Sequence, residues 1–430
     1  MQATITANAL KSMLTGFAKV MQTKYHIQVL GYAHVEKADS GEVTLTVTNL
    51  SETLAYTLPA ETQSKEDGPG AFLCAVEELK KAAVGLKKDD AITLTPANAE
   101  TVRIGIMAGG HAISREVGSI AVSEFPSNSL GNTKLKPCDT TKFLAAYKTA
   151  MCAAATDESR RTLCAVFADT EASAMVATDG RRMLRSALDN MPLDKSLILP
   201  ITKVLSNGIL GMTDGFIGGI APKTGSPMLE IRGGPWHYCV KCMDGNYPNY
   251  KQVIPNDQPS DVEFSFAEQD IPLLKTAIGQ LDGGKNAGVV ALHADANGVS
   301  VLTTKAGEDG RFPFITLPNS KASCNSVMQA VNSEFLLDAI NAGFRNVRAP
   351  QGIAPLKFRL PDGGESVYVL MAMRNITAEL LAFAREQFKS NVPAPVYGPV
   401  PQPKQEPQPS AESNATTSAE TTTKKRKTRP

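Results

Sequence analysis

One pattern recurs six times along the first 374 residues and narrows the possible folds: a short amphipathic helix followed by several short alternating strands. The helical patterns are NALKSMLTGFAKV from Asn8, AFLCAVEELKKAA from Ala71, TTKFLAAYKTAM from Thr140, PITKVLSNGIL from Pro200, DIPLLKTAIGQL from Asp270 and SEFLLDAINAGF from Ser333. Their starts lie about 60–70 residues apart. A fixed period of this size predicts a repeated structural unit.

The segments between the helices have the composition of antiparallel strands. EVTLTVTNL, VRIGIMA, GVVALHA and LKFRL are short, alternating and rich in β-branched residues, and DG, NG and GG turns separate them. Two helix-plus-sheet units are enough for one small domain. We therefore predict an α+β fold of three similar domains, residues 1–133, 134–255 and 256–374.

The composition changes after Arg374. Residues 375–389 contain NITAELLAFAREQF, whose apolar spacing predicts an amphipathic helical extension. Residues 390–430 are rich in Pro, Gln, Ser and Thr and end in KKRKTRP, which predicts a disordered tail. The basic end could contact nucleic acid or could serve only to keep the tail solvated.

The charge distribution argues against a protein that grips nucleic acid by charge alone. The whole chain has a net charge of +1, and residues 390–430 carry six basic and three acidic side chains, so the remainder is close to −2. Proteins that bind DNA electrostatically usually have a strongly basic body. If this chain acts on DNA, its hold must be topological or must depend on a partner.

The chemical motifs of common enzymes do not occur. The five histidines are scattered, and no HExxH, GxSxG or phosphate-binding loop is found. Cys239 and Cys242 form the only CxxC spacing, and no second pair completes a zinc site, so we interpret them as strand residues. We expect no catalysis, no metal and no cofactor. The chain also lacks a long apolar run and a secretory signal, so a cytoplasmic location is expected.

Several strings occur in an order that is typical of one protein family. They are SEFPSN near Phe125, DESRRTL at 157–163, VATDGRRMLR at 176–185, MDGNYPNYKQVIP at 243–255, VNSEFLLDAINA around Ser333 and VYVLMAMR at 367–374. Each string alone is also compatible with an ordinary turn, loop or buried strand. In this order, over residues 1–374, the chain resembles the bacterial DNA polymerase III beta sliding clamps.

The resemblance implies a ring of two head-to-tail copies, with helices lining the hole and a continuous sheet outside. Duplex DNA would pass through the hole and contact helix termini and basic side chains without being read in sequence. The candidate DNA-facing residues are Lys19, Lys24, Lys80, Lys81, Lys148, Arg160 and Lys203. The alternative for each is an ordinary solvated side chain.

The resemblance also implies a hydrophobic cleft between the second and third domains that binds short linear peptides of a DNA polymerase catalytic subunit and a clamp loader. Methionines suit such a site because flexible thioethers repack around different side chains. Matched position by position, its residues are Leu163, Thr178, Gly180, Arg181, Arg182, Met183, Pro248, Val253, Asn332, Phe335, Pro355, Val369, Leu370, Met371, Met373 and Arg374.

The chain departs from the family in several places. The family usually ends near the strand that matches VYVLMAMR, whereas this chain continues for 56 residues. Ala372 replaces a usual proline, Gln252 replaces a common basic residue, and two helix openings lack the usual basic pairs. We hypothesise that the extension covers or flanks the cleft and competes with peptides, so that truncation after Arg374 strengthens peptide binding. A clamp-derived scaffold that binds peptides but not DNA remains the alternative function.

Overall fold

A helix occurs in each of the six predicted units. The computed structural model describes residues 1–394 except 23, 25, 65–66, 109, 127–129, 132, 221–224, 282–287 and 324. These residues belong to one compact unit, Met1–Val396, and a second unit, Tyr397–Pro430, lies outside the described residues. The helices are α1 (Ala7–Val20), α2 (Val76–Ala83), α3 (Thr140–Met151), α4 (Lys203–Asn207), α5 (Ile271–Leu281), α6 (Ser333–Asn341) and α7 (Ala378–Phe388).

Helix α3 shows why these segments are helical. The Asp139 side chain caps it by accepting a hydrogen bond from the Lys142 amide at 3.1 Å. Phe143, Tyr147 and Ala150 follow at helical spacing and are buried. The cap therefore starts the helix, and the apolar stripe attaches it to the sheets on either side.

Two of the predicted helices begin later than their patterns indicate. AFLCA, at the start of the second pattern, is a strand that pairs with Tyr32–Lys37, and only Val76–Ala83 is helical. Pro200 closes a strand, and the fourth helix is a short one capped by Thr202. These two helix starts were predicted wrongly because a buried strand and a buried helix turn share the same short apolar run. Helix α1 begins at Ala7, one residue before its pattern, and is capped by Thr6.

The strands of the described residues form four antiparallel sheets. In chain order they are β1 (Ala3–Thr6), β2 (Tyr32–Lys37), β3 (Val43–Thr48), β4 (Glu52–Leu58), β5 (Gly70–Ala75), β6 (Ala91–Asn98), β7 (Thr101–Ala108), β8 (His111–Gly118), β9 (Lys136–Cys138), β10 (Ala165–Asp169), β11 (Ala174–Thr178), β12 (Arg182–Ala187), β13 (Leu197–Pro200), β14 (Gly215–Ile220), β15 (Met228–Gly233), β16 (Trp236–Lys241), β17 (Val262–Ser265), β18 (Val289–Asp295), β19 (Gly298–Thr303), β20 (Phe314–Leu317), β21 (Lys321–Ala322), β22 (Val327–Asn332), β23 (Asn346–Ala349), β24 (Leu356–Arg359) and β25 (Val367–Leu370).

Two of the sheets run continuously between successive units. An eight-stranded sheet has the order β5-β2-β3-β4-β16-β15-β14-β9, and the β4–β16 pairing joins the first and second predicted domains. A nine-stranded sheet has the order β13-β10-β11-β12-β25-β24-β23-β17-β21, and the β12–β25 pairing joins the second and third. Backbone hydrogen bonds therefore cross both predicted boundaries.

Two four-stranded sheets, ordered β1-β6-β7-β8 and β20-β19-β18-β22, begin and end this series. Helices α1 and α2 pack together, as do α3 with α4 and α5 with α6. Each pair contributes its apolar faces to the main core between two sheets. The structure is an α+β fold, as predicted from the repeated pattern.

Candidate peptide-binding cleft and DNA-facing surface

The candidate cleft is built on the turn between β11 and β12. Asp179 accepts hydrogen bonds from the amides of Arg181 and Arg182 at 2.8 and 2.9 Å, and the Thr178 hydroxyl donates to the Arg182 carbonyl at 2.6 Å. Gly180 has φ +86°, a left-handed conformation that favours glycine. The TDGRR string therefore forms a tight turn that is held by hydrogen bonds between its side chains and its backbone.

Pairing of β12 with β25 places this turn beside the last strand of the nine-stranded sheet. Arg182 is the partner of Leu370 and Met183 of Val369, and the Met371 amide donates to the Arg181 carbonyl at 3.0 Å. Two motifs nearly two hundred residues apart in the sequence are thereby brought side by side.

Arg182 joins the turn to helix α6. Its guanidinium pairs with Asp179 at 3.0 Å, pairs with Asp338, and lies 4.1 Å above the centre of the Phe335 ring. Asn332 caps α6 by accepting the Phe335 amide at 3.0 Å. A planar guanidinium can make all three contacts at once, so Arg182 fixes α6 against the turn.

The predicted cleft residues divide into an exposed set and a supporting set. Val253 is 48% exposed and Met371 44% exposed, so both can contact a ligand. Gly180, Arg181, Pro248 and Arg374 are also exposed, and Leu163, Thr178, Arg182, Asn332, Phe335, Pro355 and Met373 are half-buried. Met183, Val369 and Leu370 are buried, Met183 and Val369 in one small cluster and Leu370 in the main core on the opposite face.

Sequence reasoning missed what covers Met183 and Val369. These two side chains form a small cluster with Tyr250, and Tyr247 packs against it. The Tyr250 hydroxyl donates to Asp169 at 2.7 Å, and the Tyr247 ring stacks on Phe167 with centroids 4.8 Å apart. The two tyrosines of YPNY could have signalled a loop held against a sheet, but their partners are remote in sequence.

The described part of the extension packs on the last four-stranded sheet. Ile376, Leu380, Leu381 and Ala384 are buried in a cluster over the outer face of the last four-stranded sheet. Among the predicted cleft residues only Met373, whose amide donates to the Ala330 carbonyl at 2.7 Å, packs against that cluster. The prediction that the helical extension covers the cleft was wrong, because the apolar face of α7 is already used on the sheet. The extension flanks the cleft at Met373, and its competition with peptides stays a prediction.

The predicted tail also starts later than expected. Ser390 and Val392 are buried, and the Val392 carbonyl accepts two hydrogen bonds from Arg385 at 2.9 and 2.7 Å. The rest of the predicted disordered segment, from residue 395 on, lies outside the described residues.

The candidate DNA-facing residues lie mainly on helices α1 to α4. Lys19 is in the last turn of α1 and is half-buried, and Lys24, Lys148 and Lys203 are exposed. Lys80 and Lys81 form ion pairs with Glu77 and Glu78 within α2, at 2.6 and 2.7 Å, so the two acidic charges offset the two basic ones. Arg160 donates to the Asp179 carbonyl at 3.1 Å. This hydrogen bond fixes the Arg160 side chain against the turn between β11 and β12.

Neither a metal centre nor a membrane helix is found in the part of the chain that the structure describes. No group of three or more His, Cys, Asp or Glu side chains could hold a metal ion there. Cys239 and Cys242 are buried, and burial raises the pKa of the Cys242 thiol. No described helix is long and apolar enough to cross a membrane.

Comparisons with known proteins point to one group. No family model matches the chain. The beta sliding clamp of Escherichia coli K12 is 26% identical over 210 residues, which are 46% of this chain and 54% of the relative. The same match is found for the clamps of two other Escherichia coli strains. The chain thus spans about half the length of the curated relatives it matches.

Solved structures cover much more of the chain. The DNA polymerase III subunit beta of Pseudomonas aeruginosa superimposes with a TM-score of 0.72 at 19% identity, over 87% of this chain and 100% of that one. The beta subunit of Streptococcus pyogenes gives 0.71 at 20% identity, with the same coverage. The sliding clamp of Bacillus subtilis gives 0.71 at 18% identity, over 87% and 99%. The chain therefore shares its fold with the bacterial beta sliding clamps, and about half of its sequence is similar to theirs.

Proposed function

We propose that this protein is a DNA sliding clamp of the cytoplasm, which encircles duplex DNA as a head-to-tail dimer and catalyses no reaction. We further propose that residues 1–133, 134–255 and 256–374 are its three domains, each with one helix pair. The cleft around Met371 and Val253 would hold short peptides of a polymerase catalytic subunit and a clamp loader.

One observation supports the ring: among the described residues, the series of sheets begins and ends in a strand with a free edge. Strand β8 is the last strand of the first sheet, and all but two of its first seven residues are exposed. The opposite edge of that sheet is covered, because Gln63 exchanges two hydrogen bonds of 2.9 Å with the backbone of Thr4 in β1. An uncovered edge this long is a template for pairing with another chain.

The last sheet has the complementary edge. Strand β22 is bridged by Met373, whereas β20 has no strand on its other side among the described residues. Antiparallel pairing of β8 in one copy with β20 in the next would continue the sheet from subunit to subunit. Two copies could close the series without leaving either edge free.

Topological trapping tests the proposal without a loader. A closed ring can thread over the end of linear duplex DNA, and streptavidin bound to biotin at both ends would then prevent its escape. We expect DNA with both ends blocked to retain the protein through gel filtration in high salt, and DNA with open ends to lose it. High salt removes purely electrostatic binding. Equal loss from both DNAs would favour the scaffold function.

Sliding clamps of Pseudomonas aeruginosa and Bartonella birtlesii have been solved bound to griselimycin, and we propose that this ligand occupies the cleft of the present chain. We expect this chain to bind it, and Met371→Lys to abolish binding because a charge would replace an exposed apolar side chain at the cleft. Met212→Lys, at another methionine that is 39% exposed, is the matched control. Equal griselimycin affinity of Met371→Lys and Met212→Lys would reject the proposal that the ligand binds in this cleft.

A further inference from the structure

The outer face of the last sheet is apolar and is covered by the extension. Cross-strand pairing puts Phe314, Leu302, Ala291 and Ala330 on one face, because these residues are direct partners along β20, β19, β18 and β22. This is the face on which α7 buries Leu380 and its neighbours. Helices α5 and α6 cover the opposite face.

At the free edge this face ends in an aromatic cluster. The Phe314 ring, on edge strand β20, lies 5.2 Å from the Phe388 ring and 6.2 Å from the Phe383 ring, both from the extension. Phe314 is still 36% exposed, and Phe383 and Phe388 are half-buried. The cluster thus presents apolar surface at the edge where a further strand would add.

The free edge of the first sheet carries apolar side chains on its corresponding face. Arg115 of β8 pairs with Glu78 of α2, so Arg115 and Ile113 lie on the helix side of the sheet. Ala112 and its cross-strand partner Met107 therefore lie on the outer side, where Met107 is 49% exposed. Both free edges have uncovered apolar groups on the face away from the helices.

We propose that the extension is part of the subunit interface, and that Phe314, Phe383 and Phe388 of one copy pack against Met107 and Ala112 of a second copy. The inference rests on the proposed ring. Strand addition makes the outer faces of the two sheets continuous and brings side chains of neighbouring strands to about 5 Å. Aromatic side chains at the centre of such an interface become buried and contribute much of the binding free energy.

The aromatic contact would be an addition of this chain to the fold that it shares with the solved clamps. The solved clamps are matched over 99–100% of their length by 87% of this chain, so the remainder equals the length of the 56 residues after Arg374. The extension supplies two of the three rings in the cluster, so it would enlarge the interface rather than replace it.

Sedimentation equilibrium of the full chain tests the contact. We expect Met107→Ala and Phe388→Ala each to weaken the dimer roughly tenfold, as the loss of an interface anchor does. If the two side chains touch across the interface, the double variant should be weaker by less than the product of the single effects. Met212→Ala is the control for an exposed methionine elsewhere.

The Met107 variant and one further variant, Ile113→Asp, separate the possible failures. Met107 lies in the first sheet, next to edge strand β8 and at the other end of the series of sheets from the extension, so its variant tests the interface even if Phe388→Ala loosens α7. Ile113→Asp, on the helix side of β8, should give monomers whatever the extension does. A wild-type dimer whose affinity is unchanged by Met107→Ala and Phe388→Ala would overturn the inference and leave the ring intact. A wild-type monomer at micromolar concentration would reject both.

Discussion

Leu380→Ala tests whether α7 is an integral part of the last sheet or a detachable flap. Leu380 is fully buried in the cluster of Leu302, Met328 and Ala330. Replacing a buried leucine with alanine costs about 2–5 kcal/mol, because transfer energy is lost and a cavity remains. We therefore expect the free energy of opening of this helix-covered sheet to fall by that amount.

Native-state hydrogen exchange of the β18 and β19 amides measures this free energy of opening directly. A urea titration at one fixed protein concentration gives a second measurement of the loss of stability. Gln387→Ala, at an exposed position of the same helix, is the control and should change stability by no more than about 0.5 kcal/mol. If both variants exchange at the same rate as the wild type, the sheet does not depend on α7, and the reasoning from burial is refuted.

Three other perturbations have defined outcomes. Gly16→Ala would place a methyl group against the ring of Trp236, the only tryptophan, so we expect a loss of about 1–3 kcal/mol and a red-shifted emission, and an unchanged spectrum would argue against this packing. Burial alone would raise the pKa of Asp270, but hydrogen bonds from Ser320 and Asn319 outweigh it and lower the pKa below its usual 3.8. The stability from this carboxylate is present above about pH 3.8 and is lost as the pH falls through its folded pKa, so Asp270→Asn should flatten the acid limb of an unfolding curve, and an identical limb would exclude the carboxylate. Arg182→Lys keeps the charge but not the planar group, so we expect weaker griselimycin binding by calorimetry, whereas wild-type affinity would show that the guanidinium geometry is dispensable.

The repeated helix was predictable because its signal is local. The caps at Asp139 and Asn332 and the apolar stripes that follow them occupy one or two turns of chain, and both helices begin where their patterns indicate. The prediction of a helix at AFLCA was wrong because the strand conformation of this segment depends on pairing with Tyr32–Lys37, some forty residues earlier. Short apolar runs do not distinguish a buried strand from a buried helix turn.

The cleft was predictable only through resemblance. The strings around Arg182 and Met371 carry no local sign that they are neighbours, since β12 and β25 meet through a pairing that spans the second and third units. The role of Asp338 as a partner of Arg182 was missed for the same reason. A charge on a helix gives no indication of its partner until two elements pack.

The sequence alone determined the number and spacing of the helices, the alternation of the strands and the presence of an amphipathic segment after Arg374, because these depend on residues within a few turns of each other. Only the tertiary structure decided which strands join successive units, which strands lack a neighbour on one side among the described residues, and which surface α7 covers. These features depend on hydrogen bonds and apolar contacts between distant segments, and their free energy is gained only when the whole set of sheets has formed.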